Sequence, residues 1–104
     1  MLKVKNMVSA SSGREVANQF VITQNDSKNN SVTFQSYDST ICVIDYNAEG
    51  ANRVTLGKHW NYSTTTAKYL YQFLREFAGM YNVNRKAVET AIRNKDIVYN
   101  ENLC

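Results

Sequence analysis

WNYSTTTAKYLYQFLREFAG, Trp60–Gly79, is the stretch that decides the fold. Trp60 and Tyr62 open it as an extended aromatic pair, and the period then changes. Ala67, Leu70, Leu74 and Phe77 recur at helical spacing with Phe73 beside them, which predicts an amphipathic helix from about Thr64 to Ala78. Ser63, Thr64, Thr65 and Thr66 each carry a hydroxyl that can accept a free amide of the first turn. Gly79 can end the helix in a left-handed conformation. An apolar stripe of this kind needs a sheet to cover it, and the residues before Trp60 read as that sheet.

Residues 1–8 alternate, with Leu2 and Val4 on one side and Lys3 and Lys5 on the other, which fits a short strand or a loose arm. Ser9–Gly13 is a small-residue loop, and Arg14–Ala17 is either a turn of helix or the run into the next strand. Asn18–Gln24 reads as a strand with Phe20 and Ile22 on one face. A polar loop, 25–30, precedes Ser31–Tyr37, in which Val32 and Phe34 point inward. Ile41–Tyr46 is greasy on both faces, the pattern of a central strand covered on both sides. Arg53–Leu56 supplies a fourth, short strand. The short connections favour an antiparallel meander.

Beyond the main helix, Asn82 or Asn84 can cap a second, short one whose apolar stripe is Ala87, Val88, Ala91 and Ile92. Ile97–Tyr99 is β-prone and offers a further edge strand. The expectation is one α+β domain spanning 1–104. About four antiparallel strands pack on one main helix, with a second short helix near the C-terminus. Leu70, Leu74 and Phe77 are expected against Phe20, Phe34 and Val43.

The chain has 104 residues, no Pro and thirteen Asn, so Asn and Gly must supply the turn chemistry. Its net charge of +3 is mildly basic; it permits nucleic-acid contact without requiring it. The N-terminus lacks the apolar run of a signal peptide, and no stretch is long and apolar enough for a membrane span. A soluble cytoplasmic protein is the expectation. Cys42 and Cys104 are the two thiols; Cys42 in a strand reads as a small apolar residue, and a bridge between the two stays open.

No catalytic set is evident. Nucleophilic catalysis needs a base within reach of the nucleophile. The single histidine, His59, has no Ser–Asp or Cys pattern near it, and Cys42 in an apolar strand has little access. One His and two distant Cys make no zinc set, and the acidic residues form no calcium loop. The reading is therefore of a non-enzyme with no cofactor or metal.

Three features suit recognition instead. Tyr37, Tyr46, Trp60, Tyr62, Tyr69 and Tyr71 form an aromatic supply of the kind found at protein–protein hot spots; core packing is the competing account for about half of them. Lys3, Lys5, Arg14, Arg85, Lys86, Arg93 and Lys95 are candidate phosphate contacts, with a solvated surface as the competing account. The loop Ser11–Glu15 can hold an anion or an Arg14–Glu15 ion pair.

SGREVANQF (12–20), FQSYDSTI (34–41) and WNYSTTTAKYLYQFL (60–74), in that order, resemble a family of short, uncharacterised proteins of tailed bacteriophages and prophages. The resemblance covers most of residues 12–99. The loop at 25–30 is longer and richer in Asn here, and a stretch around Phe77–Val83 is extra. It implies a phage-encoded accessory protein acting inside a bacterium; the absent catalytic set, the compact size and the Tyr and Trp supply point to one that binds and modulates or inhibits a host protein complex, a defence complex among the options. The alternative is a nucleic-acid-binding accessory protein of phage transcription or replication.

Overall fold

A computed structural model describes residues 2–103. Six strands form one sheet in the order of the chain: β1 (Leu2–Val8), β2 (Glu15–Asn25), β3 (Asn30–Ser36), β4 (Ser39–Asp45), β5 (Val54–Leu56) and β6 (Val98–Tyr99). The first five are antiparallel neighbours; β6 adds to β5 in parallel. The domain is α+β as expected, but the sheet has six strands rather than about four and is mixed. Leu2–Val8 is a strand and not a loose arm. Arg14–Ala17 leads into β2 and forms no helical turn.

Helix α1 (Thr64–Phe77) starts where its sequence offers a cap: Ser63 Oγ accepts from the Thr66 amide at 3.0 Å. It ends at Gly79, which has φ +67°, so that the Met80 amide can turn back to the Leu74 carbonyl. Asn84, not Asn82, caps α2 (Arg85–Arg93), with Oδ1 accepting from the Ala87 amide at 2.8 Å.

The core lies between α1 and one face of the sheet. Leu70, Phe73 and Leu74 from α1 join Val32 and Phe34, Cys42 and Ile44, and Leu56. Phe34 stacks on Phe73 with ring centroids 5.6 Å apart. Val88 of α2 is fully buried in the same cluster, and Ala91 and Ile92 pack on its margin.

Two facing assignments need correction. Phe20 and Val43 do not meet α1: the register pairs Val21 with Phe34 and Cys42 with Phe34, so Val21 and Cys42 share the core face. Phe20, Ile22 and Val43 are half-buried on the opposite face, which no helix covers with the core cluster. β4 is therefore covered on one side only. A register shift between β3 and β4 turns Ile41 inward as well, which explains why this strand reads as greasy on both faces. Phe77 is half-buried at the helix end, 5.1 Å from the Phe73 ring, rather than central.

Cys42 is a free, fully buried thiol, and burial pushes its pKa well above the usual range. Cys104, the other half of the open bridge, lies outside the described residues.

Candidate functional site

A concavity of about 650 Å³ opens where the β3–β4 turn meets the start of α1. Its floor is built from hydroxyls. Ser36 Oγ and Thr66 Oγ1 are 3.0 Å apart and buried, and Ser63 Oγ donates to Thr66 Oγ1 at 3.0 Å. Ser63 spends its proton on Thr66, and one proton serves the Ser36–Thr66 bond. Of the two hydroxyl protons on Ser36 and Thr66, one is therefore left without an acceptor among the described residues. Behind this relay, Gln19 pairs with Ser36 across the ladder and keeps its buried Oε1 without a hydrogen-bond partner.

The rim is aromatic. Tyr37 occupies the β3–β4 turn with φ +55° and is 61% exposed; Tyr62 is 79% exposed. Such a φ is uncommon for a tyrosine, and the turn is held by the Tyr37 amide donating to the Asn18 carbonyl at 2.7 Å. The Gln35 Nε2 donates to the Tyr37 carbonyl at 2.7 Å. His59 lies edge-on to Tyr62, ring centroids 5.7 Å apart.

Tyr62 and Ser63 also line a second depression of about 520 Å³, so the two adjoin there as the halves of a groove divided by these residues at the α1 N-terminus. Thr64, Lys68, Tyr71 and Arg75 fall on one helical face there, and Arg85 reaches in from α2. Arg85 also sits 3.6 Å from Glu89 in an exposed pair. Burial raises the Tyr71 pKa, against a lowering by Arg85, so its hydroxyl stays protonated and able to donate. Lys68, Arg75 and Arg85 make this half of the groove cationic, with no carboxylate in its lining.

The aromatic candidates thus divide. Tyr37, Tyr62 and Tyr71 come together on the groove. Trp60 and Tyr69 are buried in the core, and Tyr46 is half-buried with its hydroxyl donating to the Phe77 carbonyl at 2.7 Å. These three are structural: large apolar rings at element junctions are drawn into the core before they are available to a ligand.

The basic candidates do not gather either. Lys3 and Lys5 lie on edge strand β1, Arg14 on the β1–β2 loop, Lys86 at the start of α2, and Arg93 and Lys95 at and past its end. Arg85 alone of that set enters the groove. Lys68 and Arg75 are the cations the sequence reading missed; their helical spacing with Tyr71 carried the signal. In the Ser11–Glu15 loop, Arg14 and Glu15 make no ion pair among the described residues. The neighbouring Val8 carbonyl and Ala10 amide are held by the Gln72 side chain. Among the described residues no three His, Cys, Asp or Glu side chains are grouped as metal ligands.

Sheet, helices and groove define a small α+β domain with one helical layer and an aromatic, cationic groove at the start of its main helix. The chain belongs to a family of unknown function, DUF8033, whose model matches residues 2–95. No curated protein and no solved structure matches it. No helix among the described residues is long and apolar enough to cross a membrane.

Proposed function

We propose that this protein is a phage-encoded, non-enzymatic accessory protein that binds and modulates or inhibits a host protein complex. The groove around the α1 N-terminus takes an acidic segment of that partner. The observation that carries the reading is the grouping of Tyr37, Tyr62 and Tyr71 with Lys68, Arg75 and Arg85. Exposed Tyr and Arg side chains around a concavity are the residue types that dominate binding energy at protein interfaces. The three cations supply attraction and orientation for carboxylates. The phage origin rests on the three resembling sequence blocks alone.

Affinity capture from a host lysate with the wild-type chain, Tyr62→Ala and Arg75→Glu tests this. One stoichiometric protein retained by the wild type after nuclease treatment, and lost with either variant, is the expected result. Recovery that is unchanged by both variants, or that vanishes with nuclease, refutes it.

A second reading, nucleic-acid binding in phage transcription or replication, draws on the same cations beside Tyr62 and Tyr71, which could stack unpaired bases. It requires affinity for single-stranded nucleic acid that falls steeply with salt.

A further inference from the structure

The face of the sheet turned away from the helices is open. Leu2 and Val4 of β1 are 63% and 60% exposed there, and Phe20, Ile22, Val43 and Val98 are half-buried beside them. The register makes this one continuous surface, since Val4, Ile22, Thr33, Val43, Thr55 and Val98 follow each other across all six strands. A solvated sheet face ordinarily alternates polar side chains with the buried ones. This one is apolar through its middle and carries neutral Ser, Thr, Asn and Gln around it. Among the described residues of these rows Asp45, at one end, is the only charged one, in a chain with twelve Lys and Arg and nine Asp and Glu.

We infer that a second copy of this chain packs on this face, outer face to outer face, as a homodimer. Three observations select that occupant. First, each copy has a net charge of +3, so two copies repel through most of their surface; this face, charged only at the end where Asp45 and Lys28 lie, lets them meet with few opposing like charges. Second, four strands of at least seven residues about 4.8 Å apart, with the short β5 and β6 beside them, give a footprint on the order of 500 Å² per copy. Two copies then bury about 1,000 Å², the lower bound for a specific contact.

Third, the competing self-contact is obstructed. An exposed edge such as β1 can pair with its own copy, but Lys3 and Lys5 lie on that edge strand. A symmetric antiparallel pairing centred on Lys5 sets two lysines directly opposite each other. The same strand thus guards its edge with charge and leaves its open face without any. A face-to-face stack of two twisted sheets about 10 Å apart is an ordinary packing for such a surface.

Sedimentation of the full chain from about 1 to 100 µM, at both about 0.15 and 1 M NaCl, tests the dimer. The expected result is a shift from 11.9 kDa to twice that mass with rising concentration, undiminished at the higher salt because the contact is apolar. Val4→Lys, at an exposed position that tolerates the change, should weaken association at least about tenfold with an unchanged thermal melt. Thr33→Lys, at the centre of the face, is the second variant. Tyr62→Ala on the groove should leave the dimer intact, so a failed groove reading and a failed dimer are told apart. A chain that stays monomeric to about 100 µM overturns the inference, since contacts weaker than that are below those expected of a specific dimer. A dimer insensitive to both lysine variants also overturns it, as does a monomer that binds a different protein in a Val4-dependent way.

Discussion

Gln72 offers the sharpest test of how this fold is held together. Its side chain is buried in α1 and uses both amide protons and its carbonyl oxygen. Nε2 donates to the Val8 carbonyl at 2.6 Å and to Glu76 Oε2 at 2.8 Å, and Oε1 accepts from the Ala10 amide at 3.1 Å. One helical residue therefore fixes the end of β1 and the loop after it, more than sixty residues away in sequence. Gln72→Met keeps the length and packing of the side chain and removes all three bonds. At roughly 0.5–1.5 kcal/mol per hydrogen bond, the three are worth between roughly 1.5 and 4.5 kcal/mol. Val8 and Ala10 are exposed residues, so water recovers part of the loss, and the expected destabilisation is about 2 kcal/mol. In a domain of this size the melting temperature should fall by roughly 10 °C. Urea titration followed by circular dichroism should show a lower midpoint with an unchanged slope, because folded and unfolded states keep their surface areas. Hydrogen exchange should accelerate at the Ala10 amide in particular. A loss below about 0.5 kcal/mol, the size of a neutral surface change, would refute the reasoning, and so would unchanged exchange at Ala10.

Three further outcomes follow from the geometry. Ser63→Ala removes the α1 cap and the first hydroxyl of the groove floor; a cost of about 1 kcal/mol in urea is expected, with Ser63→Asp recovering most of it. In the β2–β3 turn, the amides of Lys28 and Asn29 hydrogen-bond the Asp26 carboxylate and lower its pKa from 3.8. Its contribution to stability is therefore present above the unfolded value and lost as pH falls through the lower folded one; a carboxyl NMR titration midpoint at or above 3.8 would contradict this. Gly57→Ala places a Cβ 2.5 Å from the Leu103 carbonyl oxygen and 3.0 Å from that of Thr40. Since neither backbone atom can rotate away, a loss of roughly 1–3 kcal/mol is expected, and a neutral melt would show that the 100–103 segment yields freely.

The helical stripe of Leu70, Phe73 and Leu74 and the inward pair Val32 and Phe34 were legible from spacing alone, because each is a local pattern; the caps were narrowed to Ser63–Thr66 and to Asn82 or Asn84, and the structure selects Ser63 and Asn84. The orientation of β2 was not. Phe20 and Ile22 outweigh Val21 by bulk, and the facing is fixed by pairing across to Phe34, which lies outside the strand's own sequence. Gln72, a polar residue next to the apolar stripe, gives no local sign that its partners are the β1 end. The groove was half legible. Lys68, Tyr71 and Arg75 share a face by periodicity, whereas Arg85 joins them only through the chain reversal between the two helices. Trp60 and Tyr62 show the limit most clearly: two residues apart in one aromatic pair, one is 6% exposed and the other 79%.

The sheet's spatial order has a consequence for synthesis. Strands β1 to β5 can zip together one hairpin at a time as they leave the ribosome, since each meets only the strand just made, and such short-range pairings close quickly. β6 is the exception. It emerges after both helices, and until it docks beside Thr55 and Leu56, with the Asn100 amide on the Leu56 carbonyl at 2.8 Å, the β5 margin has bare backbone groups. The nascent chain thus carries a temporarily sticky border that β6, the last strand of the sheet to be made, seals. Stopping translation just before Val98 would make that border permanent and invite strand addition from neighbouring chains.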